Sequence, residues 1–222
     1  MDLDFSPVFA GWRELAHGAW VTVEVTAMAV VLGCVIGLWV GLGRLPGAPA
    51  GLRAVCSAYV AFIRGTPLLV QLFIWFFGLP HFGINLPALF CGVVGMGIYS
   101  GAYISEVVRG AIESVDRGQL EAARSLGMSY SVSMRLVIVP QALVRMIAPL
   151  SNEFIALIKN SSLVSLLTIT DLMHEGQKII SVSYRSLEVY LAVALVYFVL
   201  TNLTGMGLRS LHRRLSAGGV VR

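Results

Sequence analysis

Five ionisable side chains stand in or beside long apolar stretches of the sequence: Glu24, Arg64, Glu106, Glu153 and Lys159. Within a bilayer a charge costs about 2.5–3.5 kcal/mol, so it is usually paired or binds a charged solute. We expect Glu24 and Glu106, which lie near segment ends or helix interfaces, to form structural pairs. The remaining charges raise the question of solute binding.

Glu153 is the strongest candidate for binding. It lies in "SNEFIALIKNSSLVS", where polar residues flank an apolar run. Residues seven apart in a helix are nearly two turns apart, so Glu153 and Asn160 share one face. That face could line a polar cavity. The competing interpretation makes Glu153 a structural partner of Lys159 or Arg145.

Prolines interrupt the apolar stretches. Pro67 follows Gly65, and Gln71 stands one turn further on; Pro140 and Pro149 precede Glu153 in its own stretch. A proline removes a backbone donor and kinks or unwinds a helix. Broken helices at membrane depth line water-filled cavities, and their ends bind charged groups of solutes. We favour a cavity at Pro67 over a simple packing kink.

The elements that position these residues are membrane spans. The 222 residues are 57% hydrophobic with a mean hydropathy of +0.81, more apolar surface than one soluble core of that size buries. A span needs roughly 20 apolar residues. We therefore predict an all-α integral membrane protein with about five transmembrane helices. The predicted spans are about 18–43, 54–79, 86–108, 132–158 and 187–208.

Lysine and arginine set the predicted orientation, because basic loops stay on the cytoplasmic side. The basic regions are the loop with Arg44 and Arg53, the region 110–131, and the tail 211–222. Residues 1–17 are then outside and the tail inside. The amino-terminal segment is acidic and lacks a cleavage site, so the first span is expected to remain. Topology explains the net charge of +4 without nucleic-acid binding.

Glycines mark predicted helix contacts. Gly33, Gly37 and Gly41 recur every four residues and so lie on one face, where a neighbouring backbone can approach closely. A second group is less regular, so it either packs or loosens its helix. Its members are Gly92, Gly95, Gly97 and Gly101.

Catalysis and metal binding are not indicated. The cysteines lie in apolar segments without a metal-binding spacing, and the four histidines are scattered. Ser161 or Ser162 with His174 lacks an acidic partner and a nucleophile elbow, so a hydrolase is unsupported. We expect no catalytic residue, metal or cofactor.

The stretch "GQLEAARSLGMSYS" is a polar island between two apolar segments. It predicts a short helix beginning near Gln119, with Glu121 and Arg124 spaced to pair and Gly127 in the left-handed closing position. The two alanines leave a low-profile face that another protein could approach. The residues expected at this surface are Glu121, Ala122, Ala123, Arg124 and Gly127.

These residues resemble the membrane subunits of bacterial ABC importers of the polar amino acid uptake group. "EAARSLG" is followed at the family's spacing by "VIVP", with Val137 and Val139 replacing the usual Ile and Leu. "FIRGTPLLVQLF" and "IALIKNSSLVSLLTITDL" are also similar to the amino acid group, so the resemblance extends from about residue 18 to 210.

The resemblance implies a coupling helix that docks on a separate cytoplasmic ATP-binding subunit. Consistent with that, the chain has no G-x-x-x-x-G-K-[ST] stretch. It further implies a second permease subunit, identical or related, a periplasmic or surface amino acid binding protein, and a place in the lipid of the bacterial inner membrane. A secondary transporter or channel driven by an ion gradient is the alternative, but it leaves the coupling motif without a purpose.

The resemblance also places the candidate stretches beside the translocation cavity. Glu153 is expected to meet the ammonium of an amino acid, with Gln71, Ser100 and Asn160 as weaker polar contacts. Some relatives that take up cationic amino acids carry an acidic residue at the position of Asn160. Its absence favours a polar, neutral solute such as glutamine, with basic amino acids and opine-like derivatives left open.

Overall fold

The computed structural model describes residues 3–217, and these residues form helices and connecting turns without a strand. Residues 218–222 of the predicted tail and residues 1–2 lie outside the described part. The α-helices in chain order are α1 Ser6–Ala10, α2 Trp12–Gly43, α3 Ala50–Gly65, α4 Leu68–Phe73, α5 Ala88–Glu113, α6 Arg117–Ser125, α7 Tyr130–Ser133, α8 Val139–Asn160, α9 Leu172–Ser183 and α10 Ser186–Ala217. Single π turns occupy Ile74–Gly78 and Met134–Ile138, and 3₁₀ turns occupy Leu79–Phe82 and Ser161–Leu167.

Within residues 3–217, four helical stretches are long and apolar enough to cross a membrane: Trp12–Gly43, Ala88–Glu113, Tyr130–Leu167 and Ser186–Ser210. A fifth crossing is present if Ala50–Gly65 and Leu68–Phe82, bent by 104° at their junction, count as one span. The prediction of an all-α membrane protein with about five spans is confirmed. The predicted span 54–79 is interrupted at Pro67, as the proline indicated, because the chain turns sharply after Gly65.

The break between α3 and α4 follows from its sequence. Thr66 is extended, with φ −123° and ψ 145°, and Pro67 has no N–H to continue the helix. The freed acceptors are satisfied by Gln71, whose Nε2 donates to the carbonyl of Ile63 at 2.9 Å and to Oγ1 of Thr66 at 2.7 Å. Thr66 Oγ1 in turn donates to the carbonyl of Phe62 at 2.9 Å. These hydrogen bonds therefore stabilise the break between α3 and α4.

The first glycine face packs α2 against α5 as predicted. A Cβ added at Gly33 would lie 2.1 Å from Oγ of Ser100, and one added at Gly37 would lie 2.5 Å from Cγ2 of Ile104. No side chain fits at these distances. Glycine is required because the two helices cross in direct contact.

Two members of the second glycine group, Gly97 and Gly101, serve the same contact from the other side, whereas Gly92 and Gly95 approach Ile169 and Leu72. A Cβ at Gly97 would lie 2.7 Å from Cδ2 of Leu32, and one at Gly101 would lie 2.7 Å from Cγ2 of Ile36. The helix that carries them is continuous from Ala88 to Glu113. Of the two interpretations, packing is confirmed and loosening is not observed.

The stretch around Glu153 also departs from the prediction. Pro140 lies in the first turn of α8, where its missing N–H costs nothing, directly after the π turn. Pro149 stands inside α8 without ending it. The helix then tightens into the 3₁₀ turn Ser161–Leu167, and the short helix α9 follows before α10.

Candidate solute path and coupling surface

A group of charged and aromatic side chains lies at the ends of α2 and α3, along α5 from Tyr99 to Glu113, and in α8. We call it the polar cluster. Its members are Arg44, Arg64, Tyr99, Tyr103, Glu106, Arg109, Glu113 and Glu153.

Glu106 is the centre of the cluster. Its Oε1 accepts from Nη1 of Arg44 at 2.7 Å, and its Oε2 accepts from Nη2 of Arg109 at 2.7 Å. Nη1 of Arg64 lies 3.3 Å from Oε1, and Arg109 also bonds Glu113 at 2.6 Å. Glu106 stands two turns before the end of α5, roughly 10 Å inside the span. The expected structural pairing of Glu106 is confirmed, and it ties together the ends of three helices.

Arg64 is the most loosely held of the three arginines. Its side chain is 45% exposed, compared with 15% for Arg44 and 30% for Arg109. Its guanidinium lies over the ring of Tyr103, with Cζ 5.3 Å from the ring centroid. That stacking orients the group without using its N–H donors.

Two tyrosines of α5 neighbour these charges, Tyr103 beneath Arg64 and Tyr99 near Glu153. The hydroxyl of Tyr99 donates to that of Tyr103 at 3.2 Å, and their rings lie 4.8 Å apart. Both Tyr99 and Arg64 interact electrostatically with Glu153. The sequence reasoning missed these tyrosines. Their spacing of four residues within a glycine-rich span was the available signal, because it places two polar-tipped aromatics on one helix face.

Glu153 itself is half-buried in α8 and has no ion-pair or hydrogen-bond partner within residues 3–217. Lys159 is exposed, and Arg145 donates instead to the carbonyl and, at 3.1 Å, to Oγ of Ser114. The competing interpretation, a structural pair of Glu153 with Lys159 or Arg145, is therefore wrong for this chain. A carboxylate in a membrane span is left for something else to neutralise.

The other predicted solute contacts lie in different surroundings. Gln71 is buried at the break, with its Nε2 engaged and its Oε1 without a partner in the described chain. Ser100 is buried against Gly33 at the α2–α5 crossing. Asn160 is half-buried at the end of α8, on the face of Glu153. Their contact with a solute stays a prediction.

Glu24 was expected to pair and does not. It is exposed on α2, and none of the ion pairs formed by residues 3–217 includes it. It lines an open groove of about 390 Å³ together with His17, Thr168 and Thr170. Glu106 differs because it has arginine neighbours, whereas no arginine among residues 3–217 forms an ion pair with Glu24.

The polar island forms the helix α6, two residues earlier than predicted. Asp116 caps it, with its carboxylate accepting from the backbone N–H of Gly118 at 2.6 Å. Gly127 closes it at φ +82°, the left-handed conformation predicted for it. Leu120 faces inward and packs with Met134 and Ile138, so the π turn supports α6.

The outer face of α6 carries the exposed residues Glu121, Ala122 and Arg124. Ala123 is only 4% exposed, so the expectation that both alanines form an open face is wrong for Ala123. Glu121 and Arg124 form no ion pair in the described chain. Both charges remain available on a small protruding helix.

Comparison with known proteins agrees with this geometry. Residues 29–217 match the family described as binding-protein-dependent transport system inner membrane component. The chain is 37% identical to a probable glutamine ABC transporter permease protein of Bacillus subtilis, over 96% of this chain and 98% of that protein. It is 36% identical to the glutamine transport system permease protein of Escherichia coli K12, over 97% and 99% of the two chains.

Solved structures show the same fold. An amino acid ABC transporter crystallised with histidines is 40% identical and superposes with a TM-score of 0.91, covering 96% of this chain and all of that chain. The inward-facing MetNI methionine ABC transporter, 24% identical with a TM-score of 0.78, shares the fold over 91% and 96% of the chains. The chain therefore belongs to the inner membrane components of binding-protein-dependent transport systems, as a multi-pass amino acid ABC permease that works with an ATPase and a substrate-binding protein.

Proposed function

We propose that this chain carries a polar amino acid, glutamine first among the candidates, across the inner membrane into the cytoplasm. The curated relatives at 36–37% identity include two named for glutamine. A further relative, 37% identical over 92% of this chain, is named for L-cystine transport in Bacillus subtilis. Basic amino acids and opine-like derivatives remain candidates beside glutamine.

Glu153 is the observation that carries the proposal. It is a half-buried carboxylate in a membrane span, without an ion pair in the described chain. An unpaired charge there costs several kcal/mol, and the ammonium of an amino acid would neutralise it. Asn160 on the same face, Gln71 at the helix break and Ser100 are proposed as weaker contacts.

Energy enters at α6 in this proposal. The chain is not itself an enzyme: ATP is hydrolysed on a separate cytoplasmic subunit, and α6 docks on that subunit with Glu121, Ala122 and Arg124. Ala123 and Gly127 shape the helix from behind and at its end. Leu120 packs on the π turn before α8, which supports transmission of a rigid-body motion from α6 to the span of Glu153.

The complete transporter is proposed to contain a second permease subunit, identical or related, and an amino acid binding protein on the outer side. The amino terminus is then outside and the carboxyl terminus cytoplasmic. The alternative of an ion-driven secondary transporter or channel gains no support from these relatives. Uptake that stops when ATP is depleted while the proton gradient is held separates the two.

Glu153→Gln tests the solute site. We expect a well-expressed complex whose ATP-driven amino acid uptake falls or whose preference among amino acids shifts, because the carboxylate is lost while shape is kept. Glu24→Gln is the matched control, since Glu24 is an exposed glutamate of another span. Unchanged uptake of every candidate amino acid by Glu153→Gln would remove the proposed role.

A further inference from the structure

Arg145 of α8 holds the carboxyl-terminal end of α5. Its Nη1 donates to the backbone carbonyl of Ser114 and, at 3.1 Å, to the hydroxyl oxygen of the same residue. Ser114 is the residue at which α5 ends, and the helix itself supplies no N–H donor to the carbonyls at that end. A cation there also meets the negative pole of the helix dipole. Arg145 therefore caps α5 from a neighbouring span, and it forms no ion pair with any residue between 3 and 217.

This contact lies at the root of the proposed coupling helix. Ser114 comes shortly before Asp116, whose carboxylate caps α6. The end of α5 and the first half of α8 also share one apolar cluster, which includes the buried residues Ala111, Val115, Ala142 and Met146. A longer contact joins α6 to α8 directly, with Nε2 of Gln141 3.5 Å from Oε1 of Gln119. The chain segment that leads into α6 is thereby fixed on α8 as well as on α5.

The other connection from α6 to α8 passes through a π turn. Leu120 of α6 packs with Met134 and Ile138, and the turn Met134–Ile138 runs directly into α8. Helices bend at π turns, so part of a displacement delivered there is absorbed as bending. Arg145 stands about 9 Å along the axis of α8 from its start. A force that enters through Arg145 therefore reaches α8 beyond the turn.

We propose that Arg145 is a positioning residue of the transport cycle: it fixes the root of the coupling helix to the span that carries Glu153, so that movement of α6 displaces α8 as a rigid body. The inference rests on the proposed function, since it assumes that α6 docks on an ATPase. The contact of Arg145 with Ser114 is exposed, so it adds little to stability. Its loss is expected to affect coupling more than folding.

The experiment measures amino acid uptake and ATP hydrolysis together, in proteoliposomes that contain the permease–ATPase complex and receive the binding protein. The solute is the amino acid that wild type transports, with L-glutamine tried first. In Arg145→Gln, uptake per ATP hydrolysed is expected to fall about tenfold, within the range of single residues that carry coupling between sites. ATP hydrolysis itself is expected to continue, because the exposed face of α6 is unchanged.

Three further variants test the geometry of the contact. Arg145→Lys is expected to give an intermediate ratio, because an ammonium on a flexible stem still donates to a carbonyl but holds it less firmly. Ser114→Ala keeps the carbonyl and removes the hydroxyl, so its ratio is expected to lie closer to wild type than that of Arg145→Gln. Arg53→Gln is the matched control, an exposed arginine of α3 outside the ion pairs of the described chain, and is expected to behave as wild type.

A merely structural Arg145 predicts a different result. Loss of folded complex would lower uptake and ATP hydrolysis by the same factor, and an unchanged ratio in Arg145→Gln overturns the inference. If Arg145→Gln does not assemble, Arg145→Lys decides in the same way: a lowered ratio supports the inference and an unchanged ratio overturns it.

The proposed function fails separately. A wild-type complex that takes up no amino acid with ATP removes the proposed function, and the inference with it. Wild-type uptake together with an unchanged ratio in the Arg145 variants removes only the role of Arg145.

Discussion

Asp171 is the carboxylate that the fold buries most completely outside the membrane spans. It is fully buried at the start of α9, where Oδ1 accepts from the backbone N–H of His174 at 3.0 Å and Oδ2 accepts from the hydroxyl of Tyr197 at 3.4 Å. Burial raises the pKa of Asp171 from 3.8 to about 6, and these hydrogen bonds and the nearby imidazole only partly oppose it.

The sign of the resulting pH dependence is fixed. Because the folded pKa of Asp171 lies above the unfolded one, the folded state holds the proton more tightly, and the added stability is fully present below pH 3.8 and lost as the pH rises through about 6. The full effect is roughly 3 kcal/mol at 1.36 kcal/mol per pKa unit. Between pH 5 and 7 the free energy of unfolding therefore falls.

Asp171→Asn is expected to remove this slope and to raise the unfolding temperature at pH 7.5, since asparagine caps a helix as well as aspartate does. Thermal unfolding in detergent from pH 5 to 8 measures it. Asp116→Asn is the matched control, an exposed cap of α6. A wild-type slope retained in Asp171→Asn would contradict the assignment.

Single residues were predictable from sequence only where the signal was local. Gly127 follows a short polar helix, so its left-handed φ could be predicted from position alone. The pairing of Glu106 and the isolation of Glu153 depend on which arginine the neighbouring helices bring near, and Glu24 shows how that inference fails. The role of Tyr103 beneath Arg64 depends on two helices at once.

At the scale of elements, α2 and α5 form the central contact of the molecule. Gly37→Val is expected to destabilise the protein by about 1–3 kcal/mol, because the added carbon atoms would overlap Ile104 and approach the carbonyl of Gly101. Gly207→Val in α10 is the control, since nothing lies within 4 Å of a Cβ there. Thermal unfolding monitored by size-exclusion chromatography distinguishes them, and equal stability of the two variants would refute the packing role.

The coupling helix makes a second prediction at this scale. Glu121→Lys and Gly127→Asp are expected to reduce uptake strongly while the protein still inserts, the first by inverting an exposed charge and the second by straining φ +82° and adding a charge. Gly127→Ala separates the two causes, because it strains the backbone by about 1–2 kcal/mol without a charge. Normal ATP-dependent uptake in both charged variants would refute the docking role of α6.

Element boundaries were predictable where composition changes and not where it stays apolar. The break at Pro67 was signalled by the proline, but the 104° bend was not, since it depends on Gln71 returning to the carbonyl of Ile63. The 3₁₀ turn Ser161–Leu167 and α9 continue in composition from α8. Their separation arises from packing, with the side-chain oxygen of Thr22 accepting from the N–H of Leu172 at 3.1 Å.

At the scale of the whole molecule, the polar cluster joins the parts that a transport cycle must move together. Glu106 binds arginines from the end of α2 and from α3, while Leu120 of α6 packs on the turn that begins the span of Glu153. A displacement of α6 would therefore reach α8 directly and the helices of the cluster through α5. Family membership could be predicted from the coupling motif, but this connectivity depends on the fold.

The number of crossings decides the topology, and the bent pair α3–α4 decides the number. Counted as one span it gives five crossings, with the termini on opposite sides; as a re-entrant loop it leaves four, with both termini on one side. The basic loops around Arg44 and α6 favour five crossings, with the amino terminus outside.

We expect periplasmic reporter activity from a fusion in the 80–86 turn and none from fusions at Gly118 or Arg222. A periplasmic signal at Arg222 would contradict this orientation, and a cytoplasmic signal at 80–86 would make the bent pair re-entrant. In that second case Arg64 and Gln71 would approach the cavity from a loop that enters and leaves by the same side.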